Sequence, residues 1–384
     1  MRSPVPDYLA EVLVRCADVR SGQVADYIPE LAQVDPNLAA LAFSTVDGAH
    51  HSAGDDAHRF TIQSMSKPFA YALAIEELGL AAVLESVGVE PSGEAFNELS
   101  LDPDTGIPRN PMINAGAIAT SALVGSFELF SQFASKLAGR ELEVDQRVLE
   151  SELVTTHRNL ASAHLMASYG LLDDPVGAVT RYVRQCSLLV DVQDLATMAG
   201  VLANGGVQPN TGERLMAEST TRQVLSLMAT CGMYDAAGDW LSTIGIPAKS
   251  GVSGGIIGVL PGQVGVAVFS PPLDPHGNSS RGVAMMRRLS TDMSMHLMSP
   301  GRPSRSALAD VNVSGDRTTY VLRGDLLFSS AESLIRQLVE QPPSTPQVIF
   351  DLTGVDEITD VGRRMADEAR RRLELDGFVV EIVR

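Results

Sequence analysis

Apolar residues recur with helical period at the start of the chain. Tyr8, Leu9, Val12, Leu13 and Cys16 predict an opening helix over 6–20. LAALAFSTVDG, 38–48, is an apolar run that ends in Asp-Gly and predicts a strand entering a hairpin turn. HRFTIQS, 58–64, alternates and predicts a second extended piece. From Ser66, KPFAYALAIEELGL predicts a helix with proline in its first turn, where the missing N–H has no partner to lose. Helical periodicity then dominates 112–240, including AGAIATSALVGSFELFSQFASKLAG and VQDLATMAGVLANGG, with Gly205 and Gly206 as a stop. The pattern changes at 244–274, which is β-branched, glycine-rich and punctuated by Pro-Gly, and predicts two or three antiparallel strands. Early strands, a helical middle and late strands predict an α+β layering of sheet and helices.

MSPGRPSRS, 298–306, is rich in Pro, Gly and Ser and predicts a linker. The pattern then restarts. TTYVLRGDL predicts a strand, SSAESLIRQLVEQ a capped helix and PQVIFDLTGV a strand. DVGRRMADEARRRLELDG predicts a helix and FVVEIVR a closing strand. The expected division is therefore a domain over 1–298, a linker over 299–306 and a small α/β domain over 307–384.

Composition narrows the function. Apolar residues make up 45% of the 384, enough for a large core, and aromatics only 5%, so that core is mainly aliphatic. A net charge of −18 without a basic stripe argues against nucleic acid as a partner. No run reaches the roughly 18 apolar residues of a membrane span. The N-terminus lacks the apolar core of a secretory signal. Cys16, Cys186 and Cys231 are scattered and lack metal spacing, so the expectation is a cytoplasmic protein with no metal and no disulfide framework.

The choice of basic residue is informative. Of 29, all are arginine except Lys67, Lys136 and Lys249. Arginine cannot lose its proton in a protein, whereas a desolvated lysine can. Lys67 follows Ser64 by three residues in QSMSKPF, which on a first helical turn puts both side chains on one face. The serine then meets the unpaired N–H groups of a helix start, which favour a developing oxyanion, and burial favours a neutral amine. Lys249 lies in PAKSGVSGG, in the strand region. A Lys-Ser-Gly strand beside a Ser-x-x-Lys helix is the arrangement of penicillin-recognising serine hydrolases, in which the strand adds a second oxyanion donor. Lys136 precedes Gly139 on a helix and needs only a surface role.

Beyond those two motifs, the chain up to about residue 300 resembles the bacterial serine-dependent glutaminases. These have a β-lactamase/transpeptidase-like fold. The matching stretches are QSMSKPF, RNPMINAGAI, Ser151-Glu152 with Arg158-Asn159, YVRQCS, LANGG, TCGMYD and PAKSGVSGGI. The resemblance implies hydrolysis of L-glutamine through a γ-glutamyl-serine ester, with Ser64 as nucleophile and Lys67 as base. It implies substrate binding by Ser64, Asn114, Glu152, Asn159, Tyr182, Tyr234 and Val252, the last through its backbone. Tyr182 and Lys249 join the catalytic set, with either Lys67 or Tyr182 as proton donor to the leaving ammonia and Lys249 as an electrostatic and proton-network member. It implies no cofactor, and a homodimer or homotetramer. Residues 307–384 resemble a STAS domain in strand–helix order and in VIFDLTGVDEITDVGRR. That implies a module for one of three roles: binding a protein partner, assisting oligomer packing, or sensing an unidentified signal. Asp360 and Val361 stand where phosphorylated members carry hydroxyl residues, so this position is not a phosphorylation site; Asp360 is expected to cap the helix. The competing readings are a hydrolase of the same fold acting on another amide or a β-lactam, and a catalytically dead scaffold. The retention of Ser64, Lys67 and Lys249 weighs against the scaffold.

Overall fold

The computed structural model describes residues 2–93, 100–299 and 307–384. Two compact units are present, Leu13–Arg287 and Met1–Val12 with Arg288–Arg384. The expected linker over 299–306 lies, apart from Ser299, outside the described residues.

In the larger unit the 38–48 run forms strand β1 (Ala40–Thr45), which turns at Asp47-Gly48 into β2 (His50–Gly54). Gly48 takes φ +87°, the left-handed value that the turn requires. The 244–274 stretch supplies three strands, which with the short β3 (Phe60–Thr61) and β4 (Leu189–Val190) are β5 (Ala248–Ser250), β6 (Gly255–Leu260) and β7 (Val264–Phe269). The main sheet is antiparallel throughout, in the order β2-β1-β7-β6-β5. Every residue of β1, β6 and β7 is buried, as apolar runs without alternation require. The helix Val192–Ala203 packs on β1, β6 and β7 and covers one face.

The 58–64 stretch departs from expectation. Only Phe60–Thr61 is extended, it pairs with β4 outside the main sheet, and Gln63–Ser66 forms a 3₁₀ turn. That turn runs into the helix Lys67–Leu78, whose residues Lys67–Ile75 are all buried, as an all-apolar helix demands. The stretch 115–139 contains two helices, Asn114–Val124 and Phe127–Ala138. They part at Gly125 and at Ser126, whose hydroxyl accepts from the Leu129 N–H. Helix Asn114–Val124 packs against Lys67–Leu78, His157–Ser168 and Pro175–Cys186, so the site-bearing helices share one cluster.

The smaller unit has a four-stranded sheet in the order β11-β10-β9-β8, from β8 (Leu308–Ser314), β9 (Arg317–Leu326), β10 (Gln347–Ile358) and β11 (Val379–Val383). β9, β10 and β11 run parallel, joined by the helices Phe328–Glu340 and Asp360–Leu375, and β8 is antiparallel. Tyr320, Phe350, Leu334, Leu338, Ala369 and Leu373 fill its core. β8 carries little apolar signal, and it was not expected. The helix cap also differs from expectation: the Thr359 hydroxyl, not Asp360, accepts from the Gly362 N–H, because the capping residue precedes the first helical residue. The opening helix runs Val5–Arg15, stopping short of residue 20.

Candidate active site

Ser64 sits on the 3₁₀ turn and Lys67 begins the helix that follows, so the pair straddles a turn–helix junction rather than a first α-turn. Gln63 takes φ +50°, which an L-residue adopts only when its surroundings force it. The backbone is thus bent sharply just before Ser64. Gly255 lets this turn press on the sheet: a Cβ there would come within 2.3 Å of Met65 Cε.

The Lys67 side chain is 1% exposed. Its Nζ donates to Met112 O at 3.1 Å and to Asn114 Oδ1 at 2.7 Å. Burial pulls its pKa from 10.5 down to about 7, with Glu152 opposing. A neutral amine has two N–H groups and one lone pair. With both N–H groups taken by these acceptors, the lone pair is left for an incoming proton.

Asn114 is held by a chain of bonds. Its Nδ2 donates to Asn159 Oδ1 at 3.1 Å, and Asn159 Nδ2 donates to Thr156 Oγ1 at 2.8 Å. The Tyr182 hydroxyl donates to Asn114 Oδ1 at 3.2 Å. Burial raises the Tyr182 hydroxyl well above its ordinary range, so it stays a donor. Glu152 is buried and its Oε2 accepts from Gln63 Nε2 at 3.3 Å. Burial lifts the Glu152 carboxyl to about 7 despite that bond and Lys67.

Lys249 is fully buried on β5, donates to Ser250 O at 2.7 Å, and holds Nζ 3.9 Å from the Tyr234 ring centroid. Lys67 Nζ is 5.7 Å from the same ring, so Tyr234 neighbours both amines. Burial, then repulsion from Lys67, pushes the Lys249 amine well below its usual value. The Tyr234 hydroxyl lies beside Ser64 and Ser250.

Ser64, Asn114, Glu152, Asn159, Tyr182 and Val252 line a single cavity of about 320 Å³. Lys67, Lys249 and Tyr234 are packed behind it. The nine residues singled out from sequence are therefore brought together. Sequence reasoning missed Tyr27, Gln63 and Arg158 on the cavity wall. Gln63 and Arg158 stand in quoted motifs, whereas Tyr27 comes from a loop with no local signal.

The family model for glutaminase matches residues 22–298, well over half of the chain. The chain belongs to the glutaminase family. Among curated glutaminases, that of Corynebacterium efficiens is 48% identical over 388 residues, covering 99% of this chain and 92% of the relative. That of Corynebacterium glutamicum is 49% identical, covering 99% and 94%. A crystal structure of Mglu is 47% identical with a TM-score of 0.77, covering 100% of this chain and 98% of that one. A structure of Mglu in its glutamate form is 42% identical with the same TM-score of 0.77. These likenesses run the length of the chain, so the smaller unit is part of what the relatives share.

Proposed function

We propose that the protein hydrolyses L-glutamine to glutamate and ammonia by double displacement at Ser64, in a β-lactamase-like serine hydrolase scaffold. Membership of the glutaminase family gives it the amidohydrolase activity; the roles of its residues are our reading. The observation that carries that reading is Lys67, a buried amine with its pKa near 7 and both N–H groups engaged, one helical step from Ser64.

The Lys67 lone pair takes the Ser64 proton as Oγ bonds to the δ-amide carbon of glutamine. The oxyanion lies against the backbone N–H groups of residues 64 and 252. Collapse breaks the C–N bond, and the proton held by Lys67 passes to the departing nitrogen, directly or through Tyr182. Water, deprotonated by the same amine, then cleaves the ester and regenerates Ser64. Glu152 receives the α-ammonium, and Asn114, Asn159 and Tyr182 order the remaining polar groups. Lys249 and Tyr234 keep the region behind Ser64 proton-connected. Each step is a proton or acyl transfer, so the route calls for no cofactor. Cys16, Cys186 and Cys231 are buried and none forms a disulfide, which accords with the cytoplasmic setting we propose. We assign the 307–384 region as a STAS-like module that binds a protein, on its alternation of strands and helices.

Ser64→Ala is expected to abolish ammonia release while leaving the circular dichroism spectrum unchanged. Acid-quenched wild type supplied with glutamine should carry a γ-glutamyl group on the Ser64 peptide by mass spectrometry. Appreciable turnover by the variant, or the adduct on another residue, would remove Ser64 from its role.

A further inference from the structure

We infer that His276 is a positioning residue for Tyr234, acting through Asp235, and so sets the turnover of the Ser64 site without touching substrate. This rests on the reading above that Tyr234 serves Ser64.

Tyr234 takes φ +56°, an uncommon value for a bulky residue, and begins a 3₁₀ turn with Asp235 and Ala236. Residues in such conformations persist only where surrounding contacts over-determine them. Within the turn the Ala236 N–H donates to Met233 O at 3.1 Å. The adjoining carboxylate reaches out of the turn: Asp235 Oδ2 lies 2.9 Å from His276 Nδ1.

His276 is on a loop that is locked by its own bonds. Asp274 Oδ1 accepts from the N–H groups of His276 and Asn278 at 2.9 and 3.0 Å. Asp274 N–H donates to Asn278 O at 2.7 Å, and Gly277 N–H donates to Asp274 O at 3.0 Å. Just upstream, Leu273 exchanges backbone bonds with Gln23 at 2.8 and 3.1 Å. The backbone at His276 is therefore fixed, and its half-exposed imidazole, bonded to Asp235, ties the strained turn to that loop. What this tie fixes is the place of the tyrosine beside Lys67, Lys249 and Ser64.

Asp235, Asp274 and Asp239 face the imidazole, and Asp239 lies 3.9 Å from Arg287. The Asp235 bond, more than the other two acids, keeps His276 protonated above its ordinary value of 6.5. The pair is partly solvated, so it contributes little to global stability. Its effect is on aim.

The test is steady-state glutamine turnover by His276→Ala, His276→Asn, Tyr234→Phe and the His276→Ala/Tyr234→Phe double variant, each checked by thermal melting. His276→Ala should lose about tenfold in kcat and hold KM within about twofold, the pattern of a displaced proton-handling group. His276→Asn, which places an amide N–H where ring Nδ1 stood, should recover most of the loss. Adding His276→Ala to Tyr234→Phe should cost nothing more, because the hydroxyl that it aims is already gone. Wild-type kcat in His276→Ala overturns the inference alone. So does a full additional loss in the double variant, or an Asn variant no better than Ala. Wild-type turnover by Tyr234→Phe removes Tyr234 from the site and the positioning role with it, whereas the Ser64 test above is judged independently.

Discussion

Lys67 and Lys249 are enclosed on all sides, while the third lysine, Lys136, forms a solvent-facing pair with Glu213 at 2.8 Å. The contrast explains why arginine serves elsewhere and fails here: a guanidinium in the place of Lys67 stays charged and has no lone pair to offer. Lys67→Arg should lower kcat/KM by about 10²–10⁴-fold, the usual worth of a general base. Lys67→Met should also be inactive, and its stability relative to wild type should be greatest near pH 7. The sign follows from linkage. The unfolded chain holds this proton to about 10.5 and the folded chain releases it at about 7, so wild-type stability rises with pH between those values. The relative stability of Lys67→Met should therefore fall as pH climbs through that window; urea melts at pH 7 and pH 9.5 would read it. For wild type, kcat/KM should rise with pH through about 7, as Lys67 becomes neutral and Glu152 ionises.

Among the elements, the helix Asn114–Val124 does most to place the site. It carries Asn114 at its first turn and lies against the loop before it. Gly116 makes that approach possible, since a Cβ there would sit 1.9 Å from Asn110 O. Backbone cannot retreat as a flexible side chain does. Gly116→Ala should cost about 1–3 kcal/mol in a urea titration, the usual range for overpacking, and lower kcat/KM as Asn114 moves away from Lys67. An unchanged melt would show that the loop yields. This element was legible because its signal is contiguous: RNPMINAGAI holds the loop, Asn114 and the glycine together. QSMSKPF and PAKSGVSGGI are legible for the same reason. The extended reading of 58–64 failed where tertiary packing bent Gln63 out of the strand that alternation predicted. Tyr27 and His276 could not be read at all, because loops bring them to the site from far along the chain.

Across the molecule, sequence order and spatial grouping differ. Residues 1–12 gather with 288–384, a grouping that no local periodicity announces. Within that unit Arg372 bonds Asp7 Oδ2 at 2.6 Å and Arg2 O at 2.7 Å, and the Tyr8 hydroxyl donates to Asp292 Oδ2 at 2.9 Å. Truncation after residue 298 removes Arg372. Amide hydrogen exchange of the peptide covering 2–12 should then quicken by at least about tenfold, the mark of local opening. Unchanged protection would mean that those bonds do not hold the segment. Strand β8 was likewise invisible: an edge strand with six exposed residues has no buried face to impress a pattern on the sequence.

The cavity beside Ser64 has one further implication. Near neutrality neither Lys67 nor Glu152 holds a settled charge, each being poised to gain or lose a proton. Arg158 is the firm charge on the wall; the others are those that a free amino acid would carry in with it. On the proposed binding mode its ammonium would fix Glu152 as an anion, and an amide stripped of its backbone charges would arrive with nothing to trade. On that mode, selection for a zwitterion would come from a carboxyl that waits to be ionised.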